Sequence, residues 1–383
     1  MTEDKKRPAT TVVDGGRRKE WRGRLVNPPV ERASTILFDD VAQLKSSKPG
    51  LGEYRYGLQG TATHWALSEA LTLLEPGAAG TALYSSGLAA ITAALTAVLS
   101  AGDELLVTDA AYGPTRKFCD TILKRFGVTT RYYDPHSIPE FAKHTRAILL
   151  ESPGSLTMEV QDVPAICAAA RERGIVTLLD NTWATPLLFP AIAAGVDIAI
   201  LAVSKYIGGH SDVMAGAATA TAEHFPKLQK TSWDLGHALS PDDAWLASRG
   251  LRTMAVRLKQ HEASALKIAQ WLKQQPQVGL VLHPALPDCP GHDIWKRDFT
   301  GSASVFSIVF NDTWPPARIV KFVEALRLFK IGFSWGGFES LVLPVDPYRT
   351  ASKAPAANLV RLHIGLEDPD DLIEDLAAAL NKL

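Results

Sequence analysis

Apolar and polar positions follow a regular rhythm along the chain from about residue 81 onward. Short apolar runs of strand length occur in "DELLVTD", "TRAILLESP", "IVTLLDN" and "DIAILAVSK". Longer segments of helical composition alternate with them, in "SSGLAAITAALTAVLSAG", "GPTRKFCDTILKRFG" and "DVPAICAAARERG". Because strands that alternate with helices form right-handed βαβ units, this rhythm predicts an α/β fold with a large, mostly parallel sheet covered on both faces.

The rhythm changes near Pro241. A long helical stretch, "DDAWLASRGLRTMAVRLKQHEASALKIAQWLKQQ", has an expected break around Gly250, and "SASVFSIVF", "PARIVKFVEALRLF", "VRLHIGL" and "DPDDLIEDLAAALNKL" follow it. These segments predict a smaller α+β domain at the C-terminal end. The start of the chain is rich in Pro, Gly and charge and lacks periodicity, which is typical of an arm that leans on another surface. We therefore expect an arm over residues 1–60, an α/β domain over 61–250 and an α+β domain over 251–383.

The balance of charge excludes some classes of partner. The chain of 383 residues carries 40 Lys and Arg against 41 Asp and Glu, a net charge of −1, so neither nucleic acid nor an anionic membrane is an expected partner. Cys119, Cys167 and Cys289 are far apart and odd in number, which indicates reduced thiols rather than a disulfide framework. No apolar run reaches the ~18 residues of a membrane span, and the start lacks a signal-peptide core. We therefore expect a soluble, cytoplasmic protein.

Two apolar strands of the predicted sheet deliver polar groups to the same edge. Asp180 closes "IVTLLD" and Lys205 closes "DIAILAVSK", and functional groups gather at the carboxyl ends of strands in open parallel sheets. A lysine partly withdrawn from water has a lowered pKa and forms Schiff bases with carbonyl compounds. A neighbouring carboxylate suits the protonated pyridine nitrogen of pyridoxal phosphate. A plain Asp–Lys ion pair at a domain seam is the alternative interpretation.

Three further features bear on that choice. Ser86 and Gly87 precede a helix that begins near Leu88, where free backbone N–H groups attract a phosphate, although many helices start with Ser and Gly as plain caps. Tyr112 follows the strand "DELLVTD", so its ring could lie on a pyridine ring or belong to an ordinary loop. Ser204 could bind phosphate or only its own backbone.

One polar cluster gives no support for a metal site. His283, Cys289 and His292 lie in "HPALPDCPGHD", a loop-like stretch whose spacing fits no zinc pattern. We therefore expect these side chains to be structural, and no metal is predicted.

Several stretches, in this order, match a known family. They are "YGLQGTATHWAL", "YSSGLAA", "ESPGSLTMEVQDVPAI", "LLDNTWATP", "SKYIGGHSDVMAG", "HPALPDCPGHDIW", "SWGGFESLVLP" and "RLHIGLEDPDDLIEDL". The chain resembles the fold-type I pyridoxal-phosphate (PLP) enzymes of cysteine and methionine metabolism, from about "NPPVERASTILF" to its C-terminus. Within that family it resembles the branch that cleaves at the β-carbon, mainly through "ESPGSLTMEV" and "SWGGFESL". Relatives that act at the γ-carbon usually have "ESPTNPT" and a Leu in place of Trp335.

The resemblance implies PLP as cofactor and β-elimination of L-cystathionine to homocysteine, pyruvate and ammonia. Lys205 would form the Schiff base and, with Tyr112, carry the catalysis. The implied cofactor-binding residues are Lys205, Asp180, Tyr112, Ser86, Gly87, Leu88, Ser204 and Tyr56. The implied substrate-binding residues are Arg361, Ser340, Trp335 and Tyr56. The pattern of "VRLHIGL" agrees, because Arg361 and His363 share one face of that strand and the aliphatic residues share the other.

The resemblance also implies a homo-oligomer, a tetramer of two close dimers in which Tyr56 of the arm enters the neighbouring subunit's phosphate site. Two positions depart from the family: Leu58 stands where an arginine is usual, and Ala202 where a serine is common. Open alternatives are a cystathionine γ-lyase or γ-synthase, a broad cysteine-S-conjugate lyase, and a PLP-binding regulatory protein without turnover.

Overall fold

The computed structural model describes residues 6–311, 314–353 and 358–382. Its strands are β1 Gly80–Tyr84, β2 Glu104–Thr108, β3 Thr129–Tyr133, β4 Thr145–Glu151, β5 Val176–Asp180, β6 Ile198–Leu201, β7 Gly216–Ala220, β8 Val278–Leu282, β9 Val305–Phe310, β10 Lys330–Ile331, β11 Leu341–Val345 and β12 Leu359–His363.

The helices before the second sheet are α1 Pro8–Asp14, α2 Lys19–Arg22, α3 Val41–Ser46, α4 Ala62–Leu73, α5 Gly87–Val98, α6 Gly113–Phe118, α7 Val163–Arg171, α8 Thr185–Leu188, α9 Phe225–Asp234, α10 Pro241–Leu251 and α11 Met254–Lys273. Those that follow are α12 His292–Asp298, α13 Pro316–Ala325 and α14 Pro369–Asn381. A 3₁₀ turn spans Gly57–Gln59, and a π-helical turn, Cys119–Leu123, extends α6.

The first sheet has seven strands in the order β1-β7-β6-β5-β4-β2-β3. The pairs β6-β5, β5-β4, β4-β2 and β2-β3 are parallel, whereas β7 runs antiparallel to both β1 and β6. The predicted α/β fold with a mostly parallel sheet is confirmed. The apolar pattern missed three strands of this sheet. Small residues give β1 and β7, "GTALY" and "GAATA", a weak strand signal, and β3, "TTRYY", is partly exposed and mostly polar.

The second sheet has five strands in the order β10-β11-β12-β9-β8, and its central pairs are antiparallel. Phe306, Ile308, Val360 and Leu362 on this sheet pack into one core with apolar residues of α11, α13 and α14. The predicted smaller α+β unit is confirmed. The expected helix break lies after Leu251, where α10 ends.

The largest core joins the two sheets. It runs from Ile148 and Leu179 under the first sheet to Leu282, Val305 and Leu359 of the second. Because apolar side chains of both units share this core, the small unit is positioned by packing against the large one. The proposed boundary near residue 250 stays a prediction.

The arm leans on α4 through aromatic contacts. Trp65 of α4 lies 6.3 Å from Trp21 and 4.7 Å from Tyr54, measured between ring centroids. Apolar side chains of the arm remain exposed, Leu37 by 89% and Val26 by 69%. Over the described parts of the chain, no helix combines the length and apolar character that crossing a membrane requires.

Candidate active site

The site is built at the carboxyl ends of three neighbouring parallel strands. Sheet register places Glu151, the last residue of β4, opposite Asp180, the last residue of β5, and Asp180 opposite Ile200 of β6. The expectation that Lys205 closes β6 is wrong, since that strand ends at Leu201. Lys205 lies in the turn that follows this strand, and its N–H donates to the Ala202 carbonyl at 3.0 Å.

The amine of Lys205 is half-buried between the two sheets. Its Nζ donates to the Ser334 hydroxyl at 2.5 Å and lies 5.3 Å from the centre of the Trp335 ring. Burial and the positive charge of Arg361 lower the pKa of Lys205 to about 8, and the opposing charge of Asp180 limits the shift. A fraction of this amine is therefore neutral near pH 7, as a nucleophile or proton acceptor requires.

Two carboxyl groups lie side by side at the strand ends, and the charge of one of them, Asp180, acts on this amine. Burial raises the pKa of Asp180, while the N–H and hydroxyl of Thr182 (3.0 and 2.5 Å to Oδ1) and the charge of Lys205 favour its ionised form. Burial and the neighbouring Asp180 charge raise the pKa of Glu151 well above its ordinary value. The contacts of Thr182 and Lys205 therefore favour the negative charge on Asp180, while burial and that charge disfavour ionisation of Glu151.

Tyr112 and Arg361 complete the cluster from opposite sides. Tyr112 caps α6, and its N–H donates to Glu151 Oε2 at 2.7 Å. Burial, Glu151 and Asp180 raise the pKa of the Tyr112 phenol, whereas Arg361 opposes that rise. Arg361 reaches the site from β12 and donates through Nη2 to the Ser334 carbonyl at 2.9 Å. Burial lowers the pKa of Arg361 to about 10, so it stays charged at neutral pH.

The start of α5 forms a cradle beside the cluster. The Ser86 hydroxyl caps this helix by accepting the Ala89 N–H at 3.1 Å. The amides of Gly87 and Leu88 belong to the first turn, and the first amides of an α-helix have no intrahelical acceptor. A side chain at Gly87 would place its Cβ 2.6 Å from that of Ala202, so this helix start lies directly against the residue that follows β6. An N-terminal turn this close to the sheet edge suits an anionic group.

Ser204 is engaged elsewhere. Its hydroxyl donates to the Ala215 carbonyl at 3.1 Å and accepts the Ala215 N–H at 2.9 Å. A phosphate contact from Ser204 would require the first of these bonds to be exchanged.

The structure corrects one predicted substrate contact. Ser340 is fully buried, and its hydroxyl donates to Glu367 (2.8 Å) and accepts the Gly365 N–H (2.9 Å), so it lines no cleft. Ser334, which the sequence analysis missed, occupies the place at Lys205 instead. Its position directly before Trp335 was the available signal, and its φ of 80° is a strained value of the kind that clusters at functional sites.

The other predicted positions lie outside the cluster. Tyr56 is 51% exposed on the arm, where its backbone pairs with Thr35, and Leu58 lies in the 3₁₀ turn that follows. His283 and His292 are bonded to backbone groups of their own loop. Within residues 6–311, 314–353 and 358–382, no group of three or more His, Cys, Asp or Glu side chains could hold a metal ion.

The side chains of the cluster fit PLP. An amine of lowered pKa, an ionised carboxylate, an aromatic ring and a helix start with open amides match the aldehyde, the pyridine nitrogen, the ring face and the phosphate of that group. The sequence profile of the Cys/Met metabolism PLP-dependent enzymes matches residues 9–381.

Named relatives cover nearly the whole chain. It is 44% identical to the cystathionine beta-lyase of Salmonella typhimurium and 43% identical to cystathionine beta-lyase MetC of Escherichia coli, in each case over 98% of both chains. A solved structure of cystathionine gamma-lyase from Lactobacillus plantarum superposes with a TM-score of 0.89 at 28% identity, over 98% of this chain and 99% of that one. The chain therefore belongs to the family of PLP-dependent enzymes of cysteine and methionine metabolism.

Proposed function

We propose that this enzyme is a PLP-dependent carbon–sulfur lyase that cleaves L-cystathionine by β-elimination. The observation that carries the proposal is the Lys205 amine, with a pKa of about 8, set between Asp180 and Arg361. The relatives from Salmonella typhimurium and Escherichia coli, both named cystathionine beta-lyase, support the choice of substrate and bond. Cystathionine and water would give homocysteine, pyruvate and ammonia.

Three side chains and one helix start would hold the cofactor. Lys205 would bind it through the amine, Asp180 would face the ring nitrogen, and the Tyr112 ring would stack on the ring face. The amides of Gly87 and Leu88 would receive the phosphate. When bound, PLP supplies an electron sink for the pair left on the substrate Cα.

Lys205 would move the protons. Its neutral amine would take the proton from Cα and pass it to the sulfur as the Cβ–S bond breaks. The Ser334 hydroxyl, 2.5 Å from Nζ, would hold this amine in place between the two transfers. Tyr112, whose raised pKa keeps the phenol protonated, would serve as a positioning ring rather than as a base.

The small unit would bind the amino acid. The Arg361 guanidinium suits a bidentate bond to the substrate α-carboxylate, and Trp335 would line the cleft beside Lys205. Ser334 replaces Ser340 in this proposal, because only Ser334 reaches the amine.

The main alternative is cleavage at the γ-carbon, favoured by the likeness to the Lactobacillus plantarum enzyme. Purified enzyme supplied with cystathionine should release pyruvate and homocysteine, whereas 2-oxobutyrate and cysteine would overturn the β-lyase assignment. Turnover of other cysteine thioethers measures how broad the substrate range of the enzyme is. Lys205→Ala should be inactive, and a wild-type protein that binds PLP but turns over no thioether would support a regulatory protein instead.

We also propose that the enzyme is a homotetramer made of two close dimers, in which the arm of each subunit covers a neighbouring subunit. Apolar side chains of the arm, Leu37 and Val26 among them, are exposed on the single subunit, which supports this proposal. Tyr56 lies outside the Lys205 cluster of its own subunit and is half exposed, as a residue that acts in a neighbouring subunit would be. Mixing Tyr56→Ala with Lys205→Ala subunits should restore activity if Tyr56 acts in the partner's site. A cytoplasmic location stays a prediction.

A further inference from the structure

A buried polar network lies directly behind Lys205. His363, two residues beyond Arg361 on β12, is fully buried, and its Nδ1 lies 2.8 Å from the Ser304 hydroxyl. That hydroxyl lies 2.7 Å from the Tyr206 hydroxyl, which in turn accepts the Ser304 N–H at 2.9 Å. The network therefore begins at the residue next to Lys205 and ends at the His363 ring.

The far side of the His363 ring faces the loop over residues 334–337. Its Nε2 lies 3.2 Å from the Gly337 carbonyl oxygen and 3.2 Å from the Gly336 nitrogen, which is also 3.4 Å from Nδ1. With the proton on Nε2, the ring donates to Gly337, and with the proton on Nδ1, it accepts from Gly336. Either neutral tautomer therefore bonds the same loop.

This loop is held in a conformation that needs support. Ser334 and Gly336 have φ values of 80° and 85°, in the left-handed region. A Cβ at Gly336 would lie 2.9 Å from the Tyr206 nitrogen and 3.1 Å from the Lys205 Cα, so the loop backbone packs directly on the catalytic turn. Only glycine permits that approach, and the loop brings the Ser334 hydroxyl and the Trp335 ring to Lys205.

We propose that His363 is a positioning residue that holds the 334–337 loop, and with it Ser334 and Trp335, against Lys205. This inference rests on the proposed function, since the loop affects catalysis only if Lys205 acts on the substrate. Burial, the adjacent His261 and the positive charges of Arg361 and Lys205 keep the pKa of His363 well below its ordinary value. The ring is thus neutral and keeps one donor and one acceptor for the two ends of the network.

Two substitutions separate the two ends of the ring. In His363→Gln, the side-chain amide reaches the place of Nε2, so the bond to the loop is kept. In His363→Asn, the shorter amide reaches only the place of Nδ1, so the bond to Ser304 is kept and the bond to the Gly337 carbonyl is lost. Of the loop bonds, at most the long contact with the Gly336 nitrogen, 3.4 Å from Nδ1, remains. Ser304→Ala is the matched control, because it removes the Nδ1 partner and leaves the loop bond intact.

Hydrogen exchange of the peptide that contains residues 334–337, measured on the holoenzyme, is the readout independent of activity. We expect His363→Asn to speed this exchange roughly tenfold and to lower kcat by a similar factor, because small misplacements of catalytic groups are costly. His363→Gln and Ser304→Ala should stay within about threefold of the wild type in both measurements.

Equal loop exchange in the Asn and Gln variants would overturn the proposal. Should His363→Asn not fold, a loosened loop in His363→Gln would contradict it as well. The proposed function fails separately, if the wild-type holoenzyme does not cleave cystathionine.

Discussion

The two halves of the candidate site are placed by different kinds of force. Glu151 and Asp180 end adjacent strands, and the hydrogen-bond ladder between β4 and β5 sets their separation. Arg361 arrives on β12 of the second sheet, whereas Ser334 and Trp335 arrive on the loop before β11, through packing and isolated hydrogen bonds. A strand held by a ladder of many hydrogen bonds keeps its position when one side chain is substituted, whereas the position of a loop depends on a few contacts. Substitutions outside the site should therefore disturb Ser334 and Trp335 of the second half more readily than the first half.

The largest expected effect distinguishes the two carboxyl groups of the strand half. Asp180→Asn removes the negative charge of the pair, so kcat/KM should fall at least about 100-fold and PLP should dissociate faster. Glu151→Gln replaces a group whose ionisation burial disfavours and keeps an acceptor for the Tyr112 N–H, so kcat/KM should stay within about threefold. Steady-state kinetics and cofactor absorbance after dialysis measure both. Equal damage from the two substitutions would show that Glu151 is ionised as well.

A smaller effect tests the half that comes from the second sheet. Arg361→Lys keeps a positive charge but loses the planar fork and the bond to the Ser334 carbonyl. Loss of one charge-assisted bond costs about 1.5 to 3 kcal/mol, so KM for cystathionine should rise roughly 10- to 100-fold with a lesser change in kcat. The titration of PLP into apoenzyme is the control and should be little altered. A change confined to kcat would mean that Arg361 does not bind the ground-state substrate.

The smallest effect concerns the stability of the second half in acid. Burial lowers the pKa of His261 and of His283 to about 4, from the 6.5 of an unfolded chain. The unfolded state therefore binds more protons as the pH falls below 6.5, and stability that is complete above that pH is lost progressively down to about pH 4. Each histidine should cost roughly 1 to 2 kcal/mol of unfolding free energy at pH 5.

Urea unfolding at pH 7.5 and pH 5 measures this loss. His283→Gln should reduce the difference in unfolding free energy between pH 7.5 and pH 5 by the contribution of that one residue. An unchanged difference would show that His283 does not titrate between the folded and unfolded states.

The strand half of the site was accessible to prediction. Alternating apolar runs located β2, β4, β5 and β6, and polar residues at strand ends pointed to Asp180 and, less accurately, to Lys205. Period-two patterning also placed Arg361 and His363 on one face of β12. The roles assigned to these residues stay predictions until the substitutions above are made.

The part of the site that comes from the second sheet was predicted less accurately from the sequence. Ser340 was expected at the substrate and is buried against Glu367, while Ser334, six residues earlier, contacts Lys205. The two serines differ in backbone conformation and in which neighbours reach them. Neither property follows from local sequence.

The sequence by itself determined the layered α/β architecture, the family and the residue types that end the central strands, because hydrophobic periodicity and turn chemistry are local properties of the chain. Only the tertiary structure decided which carboxyl group the surroundings favour in its ionised form and which serine meets the lysine. It also revealed the His363 network that joins the two units. These outcomes depend on desolvation and on contacts between residues more than 100 positions apart, such as Lys205 and Ser334. Long-range packing sets both, and no local pattern records them.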